Sequence, residues 1–266
     1  MAKKKATRTI VGRSLTPGLL KELGAAGGIP TTPRDFKPDG DWVNAYRIWT
    51  CHGYRETGND DVGFLRIERV AGKSDGPFTL IVRQEVVQAD GMLSIIDAEI
   101  NCLKNALASP VKWRLSSRFT RPDGKLRGEL SVDERAVIKG NVLQIETGGR
   151  TLKRRLSSST TSDWSLFEAV QRLEYNEESK LAFDLLEGLS LLKQDHRLFF
   201  AATDAELADE PLRRHGLVQI GSGILPSEYW VDERGRLLFV CSMNKAYILD
   251  ENAENTIRRM VKQMRK

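Results

Sequence analysis

The chain has 266 residues, of which 40% are hydrophobic, 29% charged and 7% aromatic, a balance that excludes fibrous and disordered classes. No stretch approaches the roughly 18 to 20 apolar residues that a membrane-crossing helix needs. The formal charge of +5 divides into +4 for residues 1–41 and +3 for residues 251–266, leaving −2 for everything between; a phosphate-tracking groove needs the reverse distribution, so no nucleic-acid partner is expected.

Residues 1–41 open with Lys3, Lys4 and Lys5 and then turn Gly- and Pro-rich, which predicts a flexible basic arm. Pro17 to Leu23 is its one helix-like piece, with Thr16 as cap. An export signal needs an apolar core of about 7 to 15 residues after the cations, and Thr7, Arg8 and Thr9 stand there instead. The chain as written therefore reads as cytoplasmic; one from which a leader had been cut would read the same and belong in the periplasm.

From Trp42 to Ser159 the pattern is alternation with β-branched residues, interrupted by turn chemistry. It predicts strands at 43–54, 62–70, 78–88, 92–103, 112–120, 125–132, 136–139, 142–146 and 151–156. The separators are Asp90-Gly91, Pro122-Asp123-Gly124, Gly140-Asn141 and Gly148-Gly149, each able to supply the positive φ of a tight hairpin. The period then changes. Thr161-Ser162-Asp163 caps a helix with apolar positions Trp164, Phe167, Val170 and Leu173, and Ser165 with Glu168 offers a second capping box. Leu181–Leu186 is compatible with strand or helix, and another apolar run occupies 189–192. Strands resume at 197–202, 212–220, 229–231, 237–242 and 245–249. Asp250 caps a closing helix whose Ile257, Met260, Val261 and Met264 form one apolar stripe.

Candidate chemistry is sparse. Cys51, Cys102 and Cys241 are widely spaced and lie in strand-like runs, so they read as small buried hydrophobes. His52, His196 and His215 pair with nothing at ligand spacing, and adjacent Cys51 and His52 point to opposite faces of a strand, so neither a metal nor a cofactor is expected. Gly221-Ser222-Gly223 precedes Ile224-Leu225-Pro226 instead of a helix, which makes it a glycine bend and not a nucleophile elbow. The five tryptophans are dispersed as core filling. Arg83, Glu85, Asp97 and Glu99 form the candidate polar cluster. A hairpin centred on Asp90 sets Arg83 opposite Asp97, and such cross-strand pairs are usually a solvated face. In a low-dielectric concavity the same carboxylates would supply an acid or base.

The order of elements, with Asp163-Trp164-Ser165-Leu166-Phe167-Glu168-Ala169-Val170 between two strand-rich halves and the later phrases 228–237 and 246–249, resembles uncharacterised bacterial proteins akin to the lipoprotein-carrier (LolA/LolB-like) half-barrel. That resemblance implies a curved antiparallel sheet around helices, with an apolar cavity for an acyl chain. The resulting expectation is a mainly β fold with a few helices: residues 1–41 as the arm, and 42–266 as a single half-barrel-like domain packed on a central and a C-terminal helix. Its expected function is non-enzymatic, holding a hydrophobic small molecule or lipid in the concave face. The alternatives are an interaction or scaffold protein whose basic ends meet a partner, and an enzyme using Asp97 or Glu99.

Overall fold

The structure, a computed structural model, describes residues 29–50, 60–73, 76–157, 159–204, 214–242 and 245–264. The helix expected at 17–23, Cys51 and His52 lie outside these residues. In chain order the strands of the first half are β1 (Trp42–Thr50), β2 (Asp60–Val70), β3 (Phe78–Val87), β4 (Leu93–Cys102), β5 (Pro110–Thr120), β6 (Val132–Lys139), β7 (Val142–Thr147) and β8 (Arg150–Arg155). Strand β9 (Thr160–Ser162) leads directly into helix α1 (Asp163–Ala169) and a 3-10 turn, Val170–Arg172. Then come β10 (Lys180–Glu187), β11 (Leu191–Asp204), β12 (Arg214–Ile220), β13 (Ser227–Asp232), β14 (Leu237–Ser242), β15 (Lys245–Leu249) and helix α2 (Ala253–Met264).

All fifteen strands join one curved, unclosed sheet in the order β8-β7-β6-β5-β4-β3-β2-β1-β15-β14-β13-β12-β11-β10-β9. Every neighbour is antiparallel except β9, which runs parallel to β10. Each half is thus a meander, and the halves meet at one seam, where Tyr46 to Thr50 of β1 pair with Leu249 to Lys245 of β15.

Connectivity forces this sheet to roll up. Its two outermost strands, β8 and β9, are consecutive in the chain, with only residues 156–159 between them. Laid flat, fifteen strands would set those edges about 67 Å apart at the usual strand spacing. The chain from Arg155 to Thr160 can span about 18 Å at full extension. The edges approach without pairing. Thr161 Oγ1 donates to the Leu107 carbonyl just before β5 at 2.6 Å, and Arg154 Nη1 donates to the Ser190 carbonyl of the β10–β11 turn at 2.9 Å.

Alternation decides which side chains go inside. In β1, Trp42, Asn44, Tyr46 and Ile48 are buried while Val43 is exposed; in β2, Leu65, Ile67 and Arg69 point the same way. These residues enclose α1, whose Trp164, Ser165, Leu166, Phe167, Glu168 and Ala169 are all buried. Seven residues are too few for a helix to persist alone, so α1 depends on its surroundings. Ser162 caps it, its Oγ accepting from the Ser165 amide at 3.0 Å. Phe167 meets Tyr46, Tyr229 and Tyr247 edge to face, with ring centroids 5.3, 6.4 and 5.4 Å away. The helix expected at 163–173 is therefore present, inside the curve of the sheet.

The second capping box is not formed. Glu168 instead sits between Arg69 of β2 and Arg172, accepting from Arg69 Nε at 2.9 Å and from Arg172 Nε and Nη2 at 2.6 and 2.8 Å. Arg69 and Glu168 are 1% and 0% exposed, so this pair is fully desolvated, while Arg172 closes its outer side and keeps 14% of its side chain exposed. The spare donors are absorbed by carbonyls: Arg69 Nη1 reaches Gly40 at 2.7 Å and Arg172 Nη2 reaches Asn105 at 2.8 Å. The Arg69 guanidinium also lies 4.3 Å from the centre of the Phe78 ring.

Other differences from the sequence reading have local causes. Residues 125–132 do not form a strand. Gly124 (φ +82°) completes one turn, a 3-10 turn at Gly128–Leu130 follows, and only a Thr120–Leu126 bridge remains before β6. Leu181–Leu186 belongs to strand β10, and of the apolar run 189–192, Leu189 (φ +66°) sits in the turn while Leu191 and Leu192 open β11. Parallel β9 was missed because three buried residues show no alternation. Helix α2 packs its Ala253 and Ile257 on Phe64, on the face of β2 opposite α1. Residues 29–41 lie against the fold: the Pro38 carbonyl accepts from Trp42 Nε1 at 3.0 Å, and Asp41 accepts from the Ala71 amide at 2.6 Å.

Replacing Glu168 by Gln leaves the buried Arg69 guanidinium without its counter-charge, which costs about 3–5 kcal/mol. A urea titration of E168Q is expected to show that loss as a markedly lower midpoint with an unchanged slope.

Candidate functional site

The hairpin of β3 and β4 places the predicted polar cluster on the face of the sheet away from α1. Arg83 is paired across the strands with Asp97. Its Nη1 donates to Asp97 Oδ1 at 3.0 Å, and its Nε and Nη2 donate to Glu85 Oε1 at 2.9 and 2.6 Å. Glu99 lies one row along, exposed, opposite Ile81 and Arg114. The structure thus brings three of the four residues into one ionic contact. Asp97 is half exposed at 51% and Arg83 36% exposed, while Glu85 is buried, so the network is hydrated on its Asp97 side and closed on its Glu85 side. It borders a broad open groove of about 930 Å³ running from Arg66 on β2 to Arg150 on β8, with cations and carboxylates interspersed along its walls.

A second concavity lies within the curl, beside the N-terminal end of α1. It has a volume of about 340 Å³ and is lined by residues of α1 and β10 to β15, and by Leu65 of β2. Leu65, Phe167, Leu185 and Val240 make its apolar wall, and Ile224 and Leu225 come from the loop joining β12 to β13. Polar groups gather toward the opening. Lys193 Nζ bridges Glu187 and the Gly223 carbonyl, both at 2.8 Å. Lys245 is exposed, has no acidic partner among the described residues, and lies 5.9 Å from the centre of the Tyr247 ring.

Asp163 begins α1 and lines the same cavity. Its carboxylate accepts from the Trp164 amide at 3.0 Å and from the Gly188 amide at 3.2 and 3.3 Å. Burial outweighs these bonds and, with the negative charge of Glu187 nearby, pushes its pKa up to about 6. Burial also raises the phenols of Tyr229 and Tyr247 beyond any physiological titration, so both stay neutral. Tyr229 OH donates to Gln219 Oε1 at 2.7 Å, and Gln219 Nε2 lies 3.1 Å from Nδ1 of buried His196. The Gln219 side chain thus links Tyr229 to His196 Nδ1, while His196 Nε2 is buried without a hydrogen-bond partner among the described residues. Desolvation lowers the His196 pKa and keeps the ring neutral.

The remaining sequence candidates take structural places. Cys102 and Cys241 are buried, and burial pushes the Cys102 thiol up to about 12 and that of Cys241 further. His215 stacks on Tyr175 at 4.7 Å. Ser222 sits in the β12–β13 loop, where Gly223 adopts φ +71°. Among the described residues no three His, Cys, Asp or Glu side chains gather in a metal-binding arrangement, and no helix is long and apolar enough to cross a membrane. Sequence reasoning missed Gln219, Lys193 and Lys245. Gln219 left one signal, a polar side chain at an inward position between Leu217 and the end of β12.

A carboxyl whose folded pKa is raised binds its proton more tightly when folded. Its stabilising contribution is complete below the unfolded value near 3.9 and disappears as pH rises through about 6. Melting curves of wild type and Asp163→Asn at several pH values are therefore expected to converge toward pH 4. Above pH 6 the variant gains relative to wild type, on the order of 2 kcal/mol.

No protein-family model matches the chain, and no curated protein does. Among solved structures it is similar to one from Brucella abortus described as a beta-barrel-like protein of domain of unknown function DUF1849. The TM-score is 0.53 at 8% sequence identity, covering 79% of this chain and 96% of that one. At this identity the likeness shows a shared fold: a broad, barrel-like curved β-sheet.

Proposed function

We propose that this protein is a non-enzymatic carrier or binding module that holds the apolar part of a small amphipathic molecule, such as an acyl chain, in the cavity beside α1. The observation that carries the reading is the composition of that cavity. An apolar wall of Leu65, Phe167, Leu185 and Val240 ends at an opening that bears Lys193 and Lys245. Its volume of about 340 Å³ is at the small end for ligand sites, which run from about 300 to 1,000 Å³. A single chain with an anionic head would suit it: burying the chain is favourable at about 0.8 kcal/mol per methylene, and Lys245 has no acidic partner to displace among the described residues. Of the polar groups in its wall, Tyr229 and Gln219 are bonded to each other, and Gln219 contacts Nδ1 of His196 behind them. They do not form a nucleophile with a base, so binding accounts for the site better than turnover does. The resemblance to the LolA/LolB-like half-barrels points the same way.

The test combines native mass spectrometry of protein purified from cells with titration of a fluorescent probe, dansylaminoundecanoic acid. The expected result is a co-purifying acyl species and saturable probe binding. Ile224→Trp should fill the cavity from its rim, weakening the probe at least about tenfold while the melting temperature holds; Lys245→Glu should weaken an anionic probe more than its methyl ester. Absence of any bound species together with no saturable probe binding would end the proposal.

A further inference from the structure

We propose that the outer edge of the sheet, strand β8, takes up an extended acidic polypeptide segment as an added strand. Three observations converge there, none of which involves the cavity beside α1.

The first is the asymmetry of the sheet's two edges. Strand β9 has three residues, all buried, and is tied to the chain before β5 through Thr161. Strand β8 has six residues, and every one is exposed. Its hairpin fixes which backbone groups are open. Gly148 (φ +54°) and Gly149 (φ +72°) form a two-residue turn closed by Thr147 and Arg150, so hydrogen-bonded and non-hydrogen-bonded pairs alternate outward from that closing pair. The Leu156 amide donating to the Asn141 carbonyl at 2.8 Å fits this phase. Thr151, Lys153 and Arg155 therefore turn N–H and C=O away from β7, a template for one more strand.

The second is charge. Residues 110–155, which make β5 to β8, carry twelve Lys/Arg against five Asp/Glu, a net of +7. The rest of residues 42–250 is at −9. A nearly neutral body thus conceals a strongly polarised one. Lys112, Arg114, Arg135, Lys139, Lys153 and Arg155 are exposed and make no ion pair among the described residues. Register brings them together: Lys112 pairs with Val137, Gln144 with Val137 and Lys153, and Arg155 with Val142. On β8 itself Arg150 and Arg154 point to one face and Lys153 and Arg155 to the other.

The third is what the edge lacks. Residues 132–155 contain no aromatic residue, so there is no platform on which bases could stack. Edge cations commonly serve to stop a sheet pairing with itself, and here they do reject a second copy of β8. The same cations on both faces favour an incoming strand whose side chains are carboxylates, whichever face each one occupies.

The experiment uses the full chain and a fluorescein-labelled ten-residue peptide of alternating Glu and Thr. Expected is saturable binding that weakens steeply with salt, is lost in the Gln/Thr analogue, and falls at least about tenfold in Lys153→Ala/Arg155→Ala. Thr151→Pro removes one outward N–H without altering charge and should weaken binding about fivefold. A glutamate peptide N-methylated on alternate residues tests the same bond from the partner's side, whatever Thr151→Pro does to folding. Undiminished binding of the N-methylated peptide would overturn strand addition in favour of charge alone. So would a single-stranded oligonucleotide or a phosphatidylserine vesicle that displaces the peptide at equal or lower concentration.

Discussion

Four residues, 156–159, join the two farthest edges of a fifteen-strand sheet, and most of the architecture is the consequence of that short connection. A sheet so linked must bend until its ends are within reach, and bending of this extent creates an interior. The interior then needs filling, and the chain immediately after β9 supplies the filler in α1. What retains α1 is electrostatic as much as apolar. Glu168 holds Arg69 of β2 on its buried side and Arg172 on the side toward solvent. A buried ion cluster of this kind contributes little net stability relative to apolar residues of the same shape, but it fixes rotation: with Glu168 directed at β2, Phe167 is set among its three tyrosines.

Rotation of α1 also sets the chemistry of the cavity. The helix begins where the cavity lies, so Asp163 sits at its wall and its carboxyl is raised by the same enclosure that makes the space apolar. The helix ends near the ion cluster, where Gln171 accepts from the Leu237 amide at 3.2 Å and donates to the Phe167 carbonyl at 2.7 Å. One end of the plug is fastened and the other borders the cavity.

Much of this was legible in the sequence because alternation is a local signal. The hairpin around Asp90-Gly91 was readable residue by residue, including Arg83 opposite Asp97, since a turn and a period of two determine a register. The helix at 163 was readable from its cap. Long-range placement left no such trace. Nothing near Glu168 indicates that its partner is ninety-nine residues away, and a helical glutamate three positions after a serine looks the same whether it caps or is buried. The segment 125–132 misled because its alternation was real, while two turn signals in succession gave the backbone a cheaper path. The charge reading averaged: −2 over 209 residues is +7 over residues 110–155 and −9 over the rest, and what the strand order adds is that Lys112, Val137, Gln144 and Lys153 share one row across the sheet.

The seam between β1 and β15 has a bearing on how the molecule comes into being. Strand β1 and the seven strands that follow it are synthesised long before β15, the neighbour that completes β1 on its other side. During translation the emerging half therefore presents an unfinished flank, and its inward faces have neither α1 nor the later strands to cover them. Such a nascent intermediate is prone to wrong pairing. All fourteen earlier strands are made before the two meanders can join, which makes β15, five residues long, the strand that commits the rest.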